Sequence, residues 1–263
     1  DREGDYLRAF AALEREARRV ETLRGASAIS RKVLANALSA QGYLGDAAAA
    51  VRDGQRLAPD DFTLPVTGGL AALLGQDWDA AAAFLRRAST LQPRAVHAHV
   101  CLQDALMGAG RLAEAEQLLA TTPFELADDG DAQRALQEGK LWYLRAWHAY
   151  TAAPPGDAGA AGGSVDPDAC ARRARDAFRR ARLAATDPKD REARSLEEIL
   201  CDDFLGEHAP SADVLDLLAQ RPLDPLLLQQ VAAVLPDRLE PDDVAALVGL
   251  LQAQARLLGA RDR

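Results

Sequence analysis

Residues 38–93 read LSAQGYLGDAAAAVRDGQRLAPDDFTLPVTGGLAALLGQDWDAAAAFLRRASTLQP, and the same residue types return after a fixed step of 34. Leu44 and Trp78, Ala47 and Ala81, Val51 and Leu85, Leu57 and Leu91, and Pro59 and Pro93 are the pairs. In each half, apolar residues spaced for one helical face are interrupted by a glycine turn, and a second helical face then runs up to the proline. Two helix-turn-helix units therefore stand in tandem. A single helical hairpin cannot bury its apolar face alone, so a repeat of this length implies that successive hairpins stack.

The period and the residues that keep it resemble the tetratricopeptide repeat. In that family small residues sit where the two helices touch, a glycine opens the turn and a proline ends the second helix. Ala35, Gly42, Ala47 and Pro59 match this pattern in a first repeat over about 28–61. Gly54 stands where the family usually has alanine, and since glycine in a helix interior costs roughly 1 kcal/mol, a weak second helix is expected there. A second repeat over about 62–95 carries Gly68, Gly69, Trp78, Ala81, Leu85, Ala88 and Pro93. Pro65 suits a first helical position, and one extra residue is expected in the turn from Gly75 to Trp78. Leu102, Leu106, Gly110, Leu112, Ala115 and Leu119 place a third repeat, stopped by Thr121, Thr122 and Pro123.

Outward from the repeats, residues 5–24 read as an amphipathic helix with Phe10, Leu13, Ala17 and Val20 on one stripe and Glu14, Arg15, Arg18 and Arg19 opposite, ended by Gly25. It is expected to cap the stack, giving an N-terminal segment of 1–27 before three repeats over 28–127. Residues 131–152 form a further helix pattern, followed by TAAPPGDAGAAGGSVDPD, a glycine- and proline-rich stretch expected to be a mobile loop over 153–167. The next helix, from about Asp168 to Thr186, has Ala174, Phe178 and Ala181 at the family's second-helix spacing. These two helices are read as a fourth repeat over 128–188 with an inserted loop, the alternative being a linker between two domains. Six arginines on that second helix, Arg172, Arg173, Arg175, Arg179, Arg180 and Arg182, make it basic while the residues after Ser195 are acidic; a solvated face is the first reading, and an intramolecular or partner-facing charge complement the alternative. Residues 189–263 hold further helices, near 191–205, 212–220, from 224 and from 240, as degenerate hairpins or a C-terminal cap. The expected fold is all-α, a right-handed superhelix of stacked hairpins.

The composition agrees, since alanine, leucine and arginine dominate and alternating β-branched runs are absent. A formal charge of -9 argues against a general nucleic-acid binder, which needs a basic surface to displace counterions. Cys101, Cys170 and Cys201 are too scattered for a disulfide framework or a metal knuckle and read as buried thiols. No run reaches the ~20 apolar residues of a membrane span. The chain begins at Asp1 rather than methionine, which leaves room for a missing upstream piece; a cytoplasmic location is favoured, with export open if that piece was a signal.

Nothing in the chain has the spacing of a nucleotide loop, a zinc protease or a nucleophile elbow, and no cofactor is expected. Gly156 to Gly163 lacks the lysine that would hold a phosphate. His97 and Cys101 lie one helical turn apart, two ligands short of a metal site. The adjacent acids Glu197 and Glu198, Asp202 and Asp203, and Asp242 and Asp243 diverge around a helix and suit a wet face better than acid–base work. What the resemblance implies is a partner site on the first helix of each repeat. Counted back from the turns, this face presents Lys32 and Asn36, then Val66 and Leu70, then His97, Val100, Cys101 and Asp104. Lys32 and Asn36 match the spacing in family members that grip a peptide's terminal carboxylate, but the further basic and amide residues of such a clamp are missing, which favours a mixed, partly apolar peptide groove. The leading reading is a non-enzymatic scaffold or adaptor for a protein or peptide. The alternatives are a recruiting segment of a larger multidomain protein and an enzyme of unrecognised type.

Overall fold

The computed structural model describes residues 2–152, 165–186, 197–198, 200–202 and 204–205, with side chains from residue 7 onward. All regular structure among the described residues is helical. In chain order the helices are α1 (Arg2–Arg24), α2 (Ala28–Ala40), α3 (Leu44–Leu57), α4 (Thr63–Leu74), α5 (Trp78–Leu91), α6 (Val96–Gly108) and α7 (Leu112–Thr121). A short 3-10 turn at Phe124–Leu126 leads to α8 (Gly130–Ala152), and α9 is Pro167–Ala184. The described residues from 197 to 204 are helical as well. Most of the expected loop at 153–167, part of the helix near 191–205, and the helices expected at 212–220, from 224 and from 240 lie outside the described residues. The chain divides into two compact units, residues 1–109 with 251–263 and residues 110–250. Among the described helices the first unit contains α1–α6 and the second α7–α9.

In the first unit the 34-residue step is a structural period. α3 and α5 begin at Leu44 and Trp78, and α7, the opening helix of the second unit, begins at Leu112. The contact residues Ala47 and Ala81 are both 0 % exposed, as are Val51 and Leu85. Alanine is the residue that lets paired helices approach this closely while keeping full helix propensity. α2 starts with a capping box, in which the Ser27 side chain accepts from the Ser30 amide and the Ser27 amide donates to the Ser30 hydroxyl. Two of the four free amides at the helix start are thereby satisfied.

The turns are also isometric. At the end of α2 the Tyr43 amide reaches back to the Leu38 carbonyl, and at the end of α4 the Asp77 amide reaches the Ala72 carbonyl, both at 2.9 Å. This closure needs one residue in the left-handed region. Gly42 supplies it in the first turn (φ 85°), Gly110 takes the corresponding place at φ 73°, and the second turn uses Gln76 at φ 56°. The second turn therefore contains no extra residue: the left-handed position is the one after Gly75, and it carries a side chain. Replacing Gln76 with glycine should stabilise the protein by about 0.5–1 kcal/mol, because the strain is relieved without loss of a contact. Urea denaturation measures the shift, and a loss of stability would contradict the turn geometry.

Gly54 also has a positional reason. A Cβ there would meet Leu64 of α4 at 2.8 Å and Arg31 of α2 at 3.1 Å, so the close approach of three helices takes the space the family's alanine would use. The weakness expected of α3 is offset by this packing.

α1 packs on α2 through a face different from the apolar stripe expected of it. Ala17 is buried, but Leu13 and Val20 are exposed. Glu14, expected on the solvent side, accepts a hydrogen bond from the Gln41 side chain at 2.8 Å, and Glu21 accepts from Ser30 and pairs with Arg31 at 3.2 Å. The contact face is centred on Phe10, Glu14, Ala17 and Glu21, which keeps a helical spacing and is as polar as it is apolar.

In the second unit α8 and α9 pack along their lengths, and Gly139 allows the Phe178 ring to sit where a Cβ would lie 2.5 Å from it. α9 begins one residue before the expected Asp168, with Asp166 capping the Asp168 amide and Pro167 in the first turn. Its arginines are largely matched internally. Arg172 pairs with Asp166, Arg175 with Asp202, Arg180 with Glu138 and Arg182 with Glu198. Arg173 lies over the Trp142 ring at 4.7 Å, and Arg145 lies over the same ring at 4.7 Å. Arg172, Arg173, Arg179 and Arg180 are exposed, so this basic helix presents a solvated face, and the half-buried Arg175 and Arg182 add the internal charge complement.

Arg145 also forms a two-bond pair with Glu116, at 3.0 and 2.5 Å. The hydrogen bonds from Arg145 hold the Glu116 carboxyl below its ordinary range, partly opposed by desolvation. A lowered carboxyl pKa contributes stability that is present above the unfolded value of about 4.3 and is lost as pH falls through the folded value. Glu116→Gln should therefore lower the melting temperature at neutral pH, and the difference should vanish in acid once both carboxyl forms are protonated. A difference independent of pH would assign the loss to packing instead.

Candidate functional site

The first helices of the three repeats, α2, α4 and α6, are consecutive neighbours, with α2 against α4 and α4 against α6. All eight residues expected to face a partner lie on them, in the first unit. With the turns in one register, Lys32, Val66 and Val100 occupy equivalent positions, as do Asn36, Leu70 and Asp104. This alignment comes from the isometric turns, and it preserves the positions counted back from them.

Lys32 is half-buried and donates to the Thr63 hydroxyl at 3.2 Å. Thr63 in turn donates to Asp61 from its amide and its hydroxyl, each at 2.7 Å. The Thr63 hydroxyl, its amide and the Lys32 charge hold the Asp61 carboxyl below its ordinary value. Lys32 thus ties α2 to the start of α4. Its ammonium retains further donors, but it sits beside a carboxylate of its own chain, which weakens it as the anchor of a partner's carboxylate.

Asn36 and Leu70 come together in an open cleft of about 430 Å³ between α1, α2 and α4. Its other lining residues are Phe10, Ser39, Ala40, Thr67, Ala71 and Leu74. Leu70 and Leu74 are 37 % and 44 % exposed, a large fraction for leucines one turn apart in a packed helix array. The cleft has an apolar floor with an amide and two hydroxyls at its edges, the composition of a peptide groove. The Ser39 hydroxyl oxygen is covered and has no hydrogen-bond partner among the described residues. The sequence places Phe10 on the apolar stripe of α1, and its place in the cleft wall has no local sequence signal. Leu74 could have been found, one turn beyond Leu70 on the same face.

On α6, His97 is exposed and Val100 and Asp104 are half-buried. Cys101 is buried, with its Sγ 3.7 Å from His97 Nε2, so its contribution to the face is the support of that imidazole. Among the described residues no group of three or more histidine, cysteine or acidic side chains is placed to hold a metal. No described helix is long and apolar enough to cross a membrane.

The family model described as tetratricopeptide repeat matches residues 72–138, which run from the end of α4 through α5, α6 and α7 into α8. Among solved structures, the human IFIT1 dimer with m7Gppp-AAAA is similar at 13 % identity and a TM-score of 0.42, over 94 % of this chain and 64 % of that one. The chain thus spans just under two thirds of the length of that structure's chain. Among curated proteins none matches it.

Proposed function

We propose that this chain, which carries tetratricopeptide repeats, is a scaffold or adaptor that holds a peptide or helix of a protein partner on the face formed by α2, α4 and α6. Such repeats are generally protein-interaction modules and generally without catalytic chemistry. The observation that carries the reading is the cleft between α1, α2 and α4. It is apolar, open and preformed, and it brings Asn36 and Leu70 together on the helix faces a partner would meet first.

In this reading a partner places an apolar side chain against Leu70, Ala71 and Leu74 while Asn36 bonds its backbone. The segment then continues past Val66 towards Val100, His97 and Asp104. The change in sign along this track, from Lys32 to Asp104, gives the bound segment a direction. Lys32→Glu is a poor probe, because a new carboxylate would face Asp61 and disturb the α2–α4 junction as well as the groove. Leu70→Glu is cleaner: it puts a charge on the apolar floor at a half-open position and leaves that junction alone. Loss of partner binding at unchanged melting temperature supports the groove.

The same repeats would serve a recruiting segment of a larger protein equally well.

A further inference from the structure

A second cleft, of about 510 Å³, opens between the second helices α3 and α5, on a face of the first unit that the proposed groove does not use. Pro59, Ala80, Ala83 and Phe84 make its apolar surface, with Gln55 beside them. Arg52 and Arg87 also line it.

Two independent observations set this cleft apart. The first is its chemistry within the repeat. In the register Ala80, Ala83, Phe84 and Arg87 of α5, the preceding repeat has Asp46, Ala49, Ala50 and Asp53, and the following one has Glu114, Gln117, Leu118 and Thr121. Only the second repeat combines two alanines, which leave room, with a ring on the floor and a cation at the side. The second observation is charge. Asp53, the neighbouring acid on α3, is already paired with Arg31 and Arg56. Among the described residues Arg52 makes no ion pair or hydrogen bond, and Arg87 spends one N–H on the Pro59 carbonyl at 2.8 Å. Two guanidiniums without carboxylates therefore stand beside an apolar hollow on a protein whose net charge is -9.

We propose that this α3–α5 cleft is a docking site for an acidic protein segment that inserts one aromatic side chain. The ring would lie against Phe84, Pro59 and the two alanines, within reach of guanidinium faces that favour aromatic rings. Flanking carboxylates of the segment would take Arg52 and the remaining donors of Arg87, whose fork geometry suits a carboxylate. A basic segment is repelled, and a purely aliphatic one leaves both guanidiniums unpaired. The site is separate from the proposed groove, so the two can fail independently.

The test uses the full chain and a fluorescein-labelled hexapeptide of two aspartates, phenylalanine, leucine and two glutamates, followed by fluorescence anisotropy. The expected result is saturable binding below about 1 mM that falls at least tenfold with Arg52→Glu and at least tenfold with Ala83→Trp. Ala83 is exposed, so the second variant fills the cleft without touching the charges or the core. Circular dichroism establishes that both variants are folded, and Leu70→Glu in the groove should leave peptide binding unchanged. An analogue with serine for the four acids should lose binding. No saturation by the parent peptide, equal binding by both cleft variants, or loss of binding with Leu70→Glu would each overturn the proposal.

Discussion

Replacing Gly130 with alanine should destabilise the protein by about 3 kcal/mol or more, the largest effect expected of any single methyl group added here. Gly130 opens α8 directly after the 3-10 turn, and a Cβ on it would lie 1.8 Å from the Phe124 carbonyl oxygen and 2.7 Å from its carbon. A backbone carbonyl cannot swing aside as a leucine methyl can. Moving it would also move the Phe124 side chain, which is 1 % exposed and lies under the Arg134 guanidinium at 5.3 Å. Urea denaturation of the variant gives the free-energy change. A near-neutral result would mean that the start of α8 is built differently.

Gly108→Ala should cost about 2–3 kcal/mol for a different reason, since its Cβ would meet the Trp78 indole at 2.4 and 2.5 Å. Here the obstacle is a side chain at the start of α5, so the effect should be relieved by shortening that side chain. Trp78→Ala alone removes a half-buried ring and costs stability. In the double variant the alanine methyl occupies part of the space the ring has left, so the combined loss should be smaller than the sum of the two single losses. Strict additivity would show that Gly108 and Trp78 do not share this contact.

These glycines show what a single sequence makes legible. The 34-residue step gave the helix pairs because each turn repeats a local requirement: a left-handed residue after the first helix and a small residue where the helices touch. Gln76 escaped because glycine is only the cheapest occupant of the left-handed position, and the neighbouring Gly75 offered a false marker one residue early. The contact face of α1 differs from its apolar stripe because its partners are polar. Glu14 meets Gln41 across 27 positions, and a hydrophobic stripe says nothing about such bonds. The arginines of α9 presented two readings for the same reason, since their carboxylates come from Asp166, Glu138, Glu198 and Asp202 and not from one helical turn. Candidate groove residues could be counted from the turns, which placed Asn36 and Leu70 in one cleft. That Phe10 closes one side of it, and that Lys32 is engaged with Thr63, are facts of packing between helices that share no local pattern.

Whether the first-helix face of the repeats holds a protein partner is tested most directly by the affinity of a cross-linked and identified partner for Leu70→Glu. Isothermal titration against the wild type should show binding weakened at least tenfold, about 1.4 kcal/mol, while the melting temperature stays within a degree or two because Leu70 is already partly exposed. Unchanged affinity with Leu70→Glu, together with loss of binding from a substitution on another face such as Arg179→Glu, would contradict the account and move the partner off the groove.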